Sequence, residues 1–347
     1  MPIYNIGNYL KKAISSVLNQ TFSSFELLLI NDGSTNPGTL KICNHFVNID
    51  SRIKLLTKVN EGIEKTRIFG IENSKGTYLI FSDHDDWYSE NAFEILYNNA
   101  KATNAEIVVA KYKEVINSWL PFTKDGFNVV EPKLIAHKEF ILKYYSNFFG
   151  QNQFSVSTWG KIYKRSLFTT ELVTLGFNPT EDVALNIQIF SRANNISFID
   201  DVIYFHRFGG LTSKPNVKIL LNNYEVLYYL KKEYLRKYTF NSGLRLINVE
   251  LKNIIVHFIK TALIYRQFDN SEIGINLEIF RNTPASKEFE KYYKENFNNH
   301  HFSEDFYNYY ITNNWEAIIK MYKDEIRKGR VKRQFKLIAN KLVSIIN

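Results

Sequence analysis

A single cysteine, Cys43, stands among 347 residues, which excludes an intramolecular disulfide and fits a reducing compartment. No internal repeat and no low-complexity tract interrupts the chain, so solenoid and disordered-linker architectures are set aside. Long hydrophobic runs are missing as well. The longest apolar stretch, near residues 254–265, contains His257 and Lys260 and is too short to span a bilayer. No basic segment followed by an apolar one opens the sequence, so no signal peptide is expected and a cytoplasmic location is.

What is present is ordinary for a globular protein: 45% apolar and 23% charged residues, enough for one large or two ordinary domains. The net charge of +9 is unevenly placed. Nine basic residues lie between Lys320 and Lys341 against two acids, Asp324 and Glu325, an excess of seven. The basicity therefore belongs to a tail, and a general nucleic-acid binder, which needs a basic face on its main domain, is not indicated.

The first half alternates helical and strand patterns. Leu10, Ile14, Val17 and Leu18 have helical spacing, and residues 25–30 read as a strand closed by Asn31-Asp32-Gly33-Ser34. A strand over 53–56, a helix over 61–73, a strand over 77–82, a helix over 89–102 capped by Ser89 and a strand over 105–109 follow. This predicts an α/β fold with a mostly parallel sheet flanked by helices. Residues 115–175 are irregular and aromatic-rich, with Trp119, Phe122, Phe148, Phe149 and Trp159. A helix over 181–191 and a strand over 196–205 resume the alternation, and beyond about residue 215 the pattern is helical. Two domains are expected, 1–212 and 213–347. In the tail, Val331, Phe335, Ile338, Leu342 and Ile345 form one apolar helical stripe with Lys332, Arg333, Lys336 and Lys341 off it. Such a helix suits either an anionic membrane surface or its own domain.

The most informative stretch is Tyr78-Leu79-Ile80-Phe81-Ser82-Asp83-His84-Asp85-Asp86-Trp87. A buried strand here delivers three acids to a loop, and ligands of open α/β sheets bind beyond the carboxyl ends of strands. Oxygen-only ligands suit Mn²⁺ or Mg²⁺, ions that also hold phosphate oxygens. The same acids also suit a solvated loop capping the helix from Ser89.

Several motifs then line up in order: Pro2-Ile3-Tyr4-Asn5, Ser15 to Thr21, Asn31-Asp32-Gly33-Ser34-Thr35, Lys75-Gly76-Thr77-Tyr78, Asp83-His84-Asp85-Asp86-Trp87, Trp159 to Arg165 and Glu181-Asp182. Over about residues 1–210 the chain resembles the bacterial family 2 glycosyltransferases, inverting enzymes of GT-A fold. The resemblance implies transfer of a sugar from a UDP-sugar to a glycan or lipid-linked oligosaccharide in surface-polysaccharide assembly. It implies a uridine site at Pro2, Tyr4 and Asp32, an approach of Arg67 to the nucleotide, and a ribose contact at Asp83. Metal ligation falls to Asp85, with Asp83 and His206 as further candidates. Asp182 becomes the general base and Glu181 its acceptor-orienting neighbour. Asp86 is expected to cap the following helix. Members of the family carry an apolar strand before the proline, so the resemblance also predicts a sheet whose first strand is missing unless another element fills the gap, with strand edges left open.

Overall fold

The computed structural model describes residues 1–117, 120–126, 130–150, 153–168, 172, 181–207, 217–238, 243–295 and 304–328. Trp119 and the apolar stripe of the tail, residues 331–345, lie outside the described residues. The chain divides into two compact units, Met1–Gly210 and Leu211–Asn347.

In the first unit, the strands β1 (Pro2–Ile3), β2 (Leu27–Asp32) and β3 (Ile53–Lys58) form a parallel sheet in that order, with Pro2 opposite Ile30 and Leu29 opposite Leu55. All six residues of β2 are buried, and the first four, Leu27 to Ile30, make the uninterrupted apolar run of a strand covered on both faces. Three helices accompany these strands: α1 (Tyr9–Leu18), α2 (Pro37–Ile49) and α3 (Ile63–Glu72). The α1 helix buries Leu10, Ala13, Ile14 and Val17, one stripe at helical spacing. The α2 helix starts where Asn36 accepts from the Gly38 amide and Pro37 fills the first turn.

A second, seven-stranded sheet is built from β4 (Tyr78–Ile80), β5 (Trp87–Tyr88), β6 (Ile107–Asn117), β7 (Leu120–Asp125), β8 (Lys133–Ala136), β9 (Lys161–Lys164) and β10 (Asn195–Arg207). Its main order is β4-β9-β6-β10-β5; β7 pairs with β6, and β8 with β10. The β6–β10 pair is parallel, while β9 runs antiparallel to both β4 and β6. The helices α4 (Ala92–Thr103), α5 (His137–Lys143) and α6 (Glu181–Phe190) complete the unit. The sheet core is thus mixed rather than uniformly parallel. The antiparallel members β7, β8 and β9 come from the irregular segment, where alternation of helix and strand gives no guide.

No described strand joins the two sheets. Pro2–Ile3 supplies two residues of pairing to β2, and a cavity of about 440 Å³ is walled by Leu27, Leu28 and Ile30 on one side and Tyr78, Leu79 and Ile80 on the other. Another departure lies at Ser89, which does not cap a helix. Trp87 and Tyr88 are extended and pair antiparallel with Phe205 and Tyr204, so α4 begins only at Ala92. Side chains enforce this. The Tyr88 hydroxyl donates to the Phe81 carbonyl, and Trp87 stacks on Phe205 under the Lys12 ammonium. Of the described aromatics of the irregular segment, Phe140, Phe148 and Phe154 pack with Phe190 and are at most 1% exposed.

The second unit is helical: α7 (Val217–Lys237), α8 (Gly243–Tyr265), α9 (Asn270–Arg281), α10 (Pro284–Glu295), α11 (Glu304–Ile311) and α12 (Trp315–Lys328). No helix of the described residues is long and apolar enough to cross a membrane. Lys231 of α7 is fully buried, and its ammonium meets both Glu250 oxygens of α8 at 2.6 Å. Removing one member of a buried pair strands the other charge. Glu250→Ala is expected to lower stability by about 3–5 kcal/mol. The double replacement Lys231→Met/Glu250→Leu, which strands no charge, is expected to recover most of that loss in urea unfolding.

Candidate active site

The strands β4, β6 and β10 point the same way, as their pairings with β9 and with one another require, so the chain leaves β4 and β10 at one end of the sheet. Both exits carry charge. After β4 come Asp83, Asp85 and Asp86; β10 ends in His206 and Arg207. The α6 helix brings Glu181 and Asp182 in its first turn, where the helix dipole favours acids. From α3 comes Arg67.

Arg67 joins what the chain holds far apart. Its Nη1 lies 2.6 Å from Asp182 Oδ1 and 3.1 Å from Glu181 Oε1, and its Nη2 lies 3.1 Å from Asp83 Oδ1. The guanidinium is 4% exposed. Burial works against its charge, but Asp182, Asp83 and Glu181 outweigh that and hold it protonated more firmly than usual. One cation faces three carboxylates, and the acids bear the consequence. Burial, reinforced by Asp182, pushes Glu181 up to about 7. Burial also raises Asp182, opposed chiefly by Arg67. Thr158 donates to Asp182 Oδ1 at 3.1 Å. Glu181 Oε2 and Arg67 Nε are buried without a hydrogen-bond partner among the described residues.

A second arginine serves the other acids. Arg207 Nη2 meets Asp85 Oδ2 at 2.9 Å, its guanidinium lies 4.0 Å from the centre of the Tyr9 ring, and its Nε and Nη1 are buried with no partner among the described residues. Asp86 is 2% exposed; it accepts from the Tyr204 hydroxyl at 2.8 Å and from the Arg207 amide at 2.7 Å. Burial, then Asp85 and Asp83, raises it well above the carboxylate range. Asp86 therefore ties the acidic loop to the end of β10 instead of capping α4, whose first turn lies beyond β5. His206 stacks on Trp159 at 5.3 Å between ring centres, and no ion pair among the described residues joins it to Asp83 or Asp85. His84 Nδ1 lies 3.7 Å from Asp85 Oδ1.

The expected uridine residues sit at the ends of β1 and β2. Tyr4 is 48% exposed. Asp32 Oδ1 accepts from the Glu61 amide and the Lys58 ammonium, and Oδ2 from the Gly62 amide, so Asp32 also fixes the turn entering α3. Asn5, at φ +46°, accepts from the amides of Thr35 and Asn36 and thereby joins the Tyr4 loop to the Asp32 loop. An asparagine after the tyrosine was the available signal for this link, since Asn tolerates the left-handed region. The Arg207–Asp85 pair and the Thr158 contact had no local signal.

Among the described residues no three His, Cys, Asp or Glu side chains converge on a cation site. Asp83 Oδ2 and Asp85 Oδ1 nevertheless stand outside their pairs with arginine. Two carboxylate oxygens completed by substrate phosphates are the usual Mg²⁺-type arrangement, so the donor chemistry fits such an ion.

Residues 1–170 match the family described as Glycosyl transferase family 2. The chain is 32% identical over 297 residues to a cholesterol galactosyltransferase of Borreliella burgdorferi, covering 80% of this chain and 81% of that protein. To the poly(ribitol-phosphate) beta-N-acetylglucosaminyltransferase TarP of Staphylococcus aureus it is 30% identical over 210 residues, 59% of this chain and 60% of that one. The crystal structure of S. aureus TarS 1–349 in complex with UDP-GlcNAc superposes with a TM-score of 0.65 at 18% identity, over 94% of this chain and 90% of that one, a likeness of fold. A site of clustered acids beyond the strand ends, the match over the first half and the relative aligned over four-fifths of both chains together place this protein in glycosyl transferase family 2, on the GT-A fold.

Proposed function

We propose that this chain transfers a glycosyl group from a UDP-sugar to a hydroxyl of a glycan or lipid-linked oligosaccharide, with inversion at the anomeric carbon. The observation that carries the reading is the meeting of Asp83, Glu181 and Asp182 on Arg67, which sets a partly exposed carboxylate of raised basicity beside the acidic loop. A UDP-sugar donor is supported by the fold shared with TarS, whose structure holds UDP-GlcNAc. Relatives named for transfer to cholesterol and to poly(ribitol-phosphate) support a hydroxyl acceptor.

In this reading Asp182 takes the proton of the acceptor hydroxyl as its oxygen attacks the anomeric carbon from the face opposite UDP. The bond to the β-phosphate oxygen breaks, and its electron pair leaves with UDP. Arg67 holds Asp182 in place without a second base, and Glu181 orients the acceptor. Arg207 offers Nε and Nη1, buried without a partner among the described residues, to the anionic oxygens of the leaving group. Tyr4 and Pro2 pack on the uracil, Asp32 accepts from its ring, and Asp83 holds the ribose. A Mn²⁺ or Mg²⁺ ion bound by Asp85 and Asp83, with His206 as a further candidate, would supply positive charge to the departing diphosphate. In this reading the acceptor belongs to bacterial surface-polysaccharide assembly at the cytoplasmic face of the membrane, with the basic tail as peripheral contact.

Three outcomes check this. Asp182→Asn is expected to lower kcat about 10²- to 10⁴-fold while UDP binding persists; an active variant would remove Asp182 from the chemistry. Because the base must be ionised and burial raises it, kcat/KM should climb with pH through a value above the ordinary aspartate range of about 3.9. An acid limb at that ordinary value would show that the burial of Asp182 does not matter to the reaction. Calorimetric titration of UDP should give binding with Mn²⁺ that weakens with EDTA and in Asp85→Ala; equal affinity in all three conditions would take the metal away from Asp85.

A further inference from the structure

Behind Asp182 lies a cation that the proposed reaction does not use. Lys161, the first residue of β9, is 1% exposed. Its ammonium donates to the Ser157 carbonyl at 2.6 Å and the Trp159 carbonyl at 3.4 Å, and no carboxylate of the described residues lies within ion-pair distance. Thr158, between those two carbonyls, is fully buried and donates its hydroxyl to Asp182.

The segment is already pinned by neutral groups. Asn186, one turn beyond Asp182 on α6, donates to the Val156 and Ser157 carbonyls at 2.7 and 3.2 Å. The Tyr163 hydroxyl lies 2.9 Å from Asn186 Oδ1 and 3.2 Å from the Thr158 carbonyl, its two acceptors. An amide or hydroxyl thus suffices to hold a loop here, whereas a buried ammonium carries a heavy desolvation penalty. Burial pushes Lys161 down to about 7, and the charged group working against that is Asp182. The favour is returned: Lys161, with Arg67 and Thr158, is among the groups keeping Asp182 ionised.

We propose that Lys161 is a positioning residue for Asp182: its ammonium, seated on the carbonyls of Ser157 and Trp159, fixes Thr158 so that its hydroxyl aims and supports the carboxylate. The inference rests on Asp182 as the base. It assigns a role in turnover to a lysine that touches neither donor nor acceptor.

The test is a cycle of Lys161→Met, Thr158→Val and the double variant, in the full chain with a UDP-sugar donor, alongside Asp182→Asn. Each single change is expected to lower kcat about 10- to 100-fold with the donor KM little changed, and the double to be no worse than the poorer single, because both cut one chain of contacts. Wild-type kcat in folded Lys161→Met overturns the proposal, and so do losses that multiply in the double variant. If Lys161→Met does not fold, Thr158→Val decides: unchanged kcat there overturns the proposal equally, since the effect is routed through that hydroxyl. An inactive Asp182→Asn beside an unimpaired Lys161→Met sinks this inference alone, whereas a fully active Asp182→Asn sinks the base assignment beneath it.

Discussion

The buried guanidinium of Arg67, shared among Asp83, Glu181 and Asp182, is the interaction on which the site depends. Three carboxylates at such distances repel, and a single positive charge cannot neutralise them all. Burial, with Asp182 beside it, holds Glu181 near 7 rather than in the carboxylate range, so part of the imbalance is met by protons. The arrangement also fixes geometry. Arg67 comes from α3, Asp83 from the exit of β4, and the other two acids from α6, so the cluster clamps three separate elements of the first unit around one planar fork.

The acidic loop is held with equal economy. Asp86 spends its lone pairs on Tyr204 and the Arg207 amide, fastening the exit of β4 to the exit of β10. Tyr204 in turn accepts from the Asp83 amide and packs on Trp159. Asp86 and Tyr204 therefore set the position of the Asp83–Asp85 loop, as expected where a site must be rigid before its ligand arrives.

Much of this was legible in the sequence because the signals were local. The apolar run into Asp83-His84-Asp85-Asp86, the Asp32 turn and the acidic start of α6 each occupy a few adjacent residues. What stayed hidden was long-range or depended on short elements. Arg67 meets Glu181 and Asp182 across 114 and 115 residues, a separation no periodicity reports. Trp87 and Tyr88 make a two-residue strand, too short to show alternation, and their extension is dictated by Phe205, Tyr204 and Lys12 rather than by their own propensity. In the aromatic segment, β8 and β9 are four residues each and β7 six, and they owe their register to β10, β4 and β6.

The shared guanidinium has a thermodynamic corollary. A group near 7 in the free protein is poised to change its proton occupancy when a neighbouring charge changes. An anion brought beside Glu181 would favour its neutral form, so binding there would be linked to proton uptake. Docking of an anion there would take up protons, and the heat of binding would vary with the ionisation enthalpy of the buffer. The acid cluster is thereby a proton store coupled to whatever charge sits beside it.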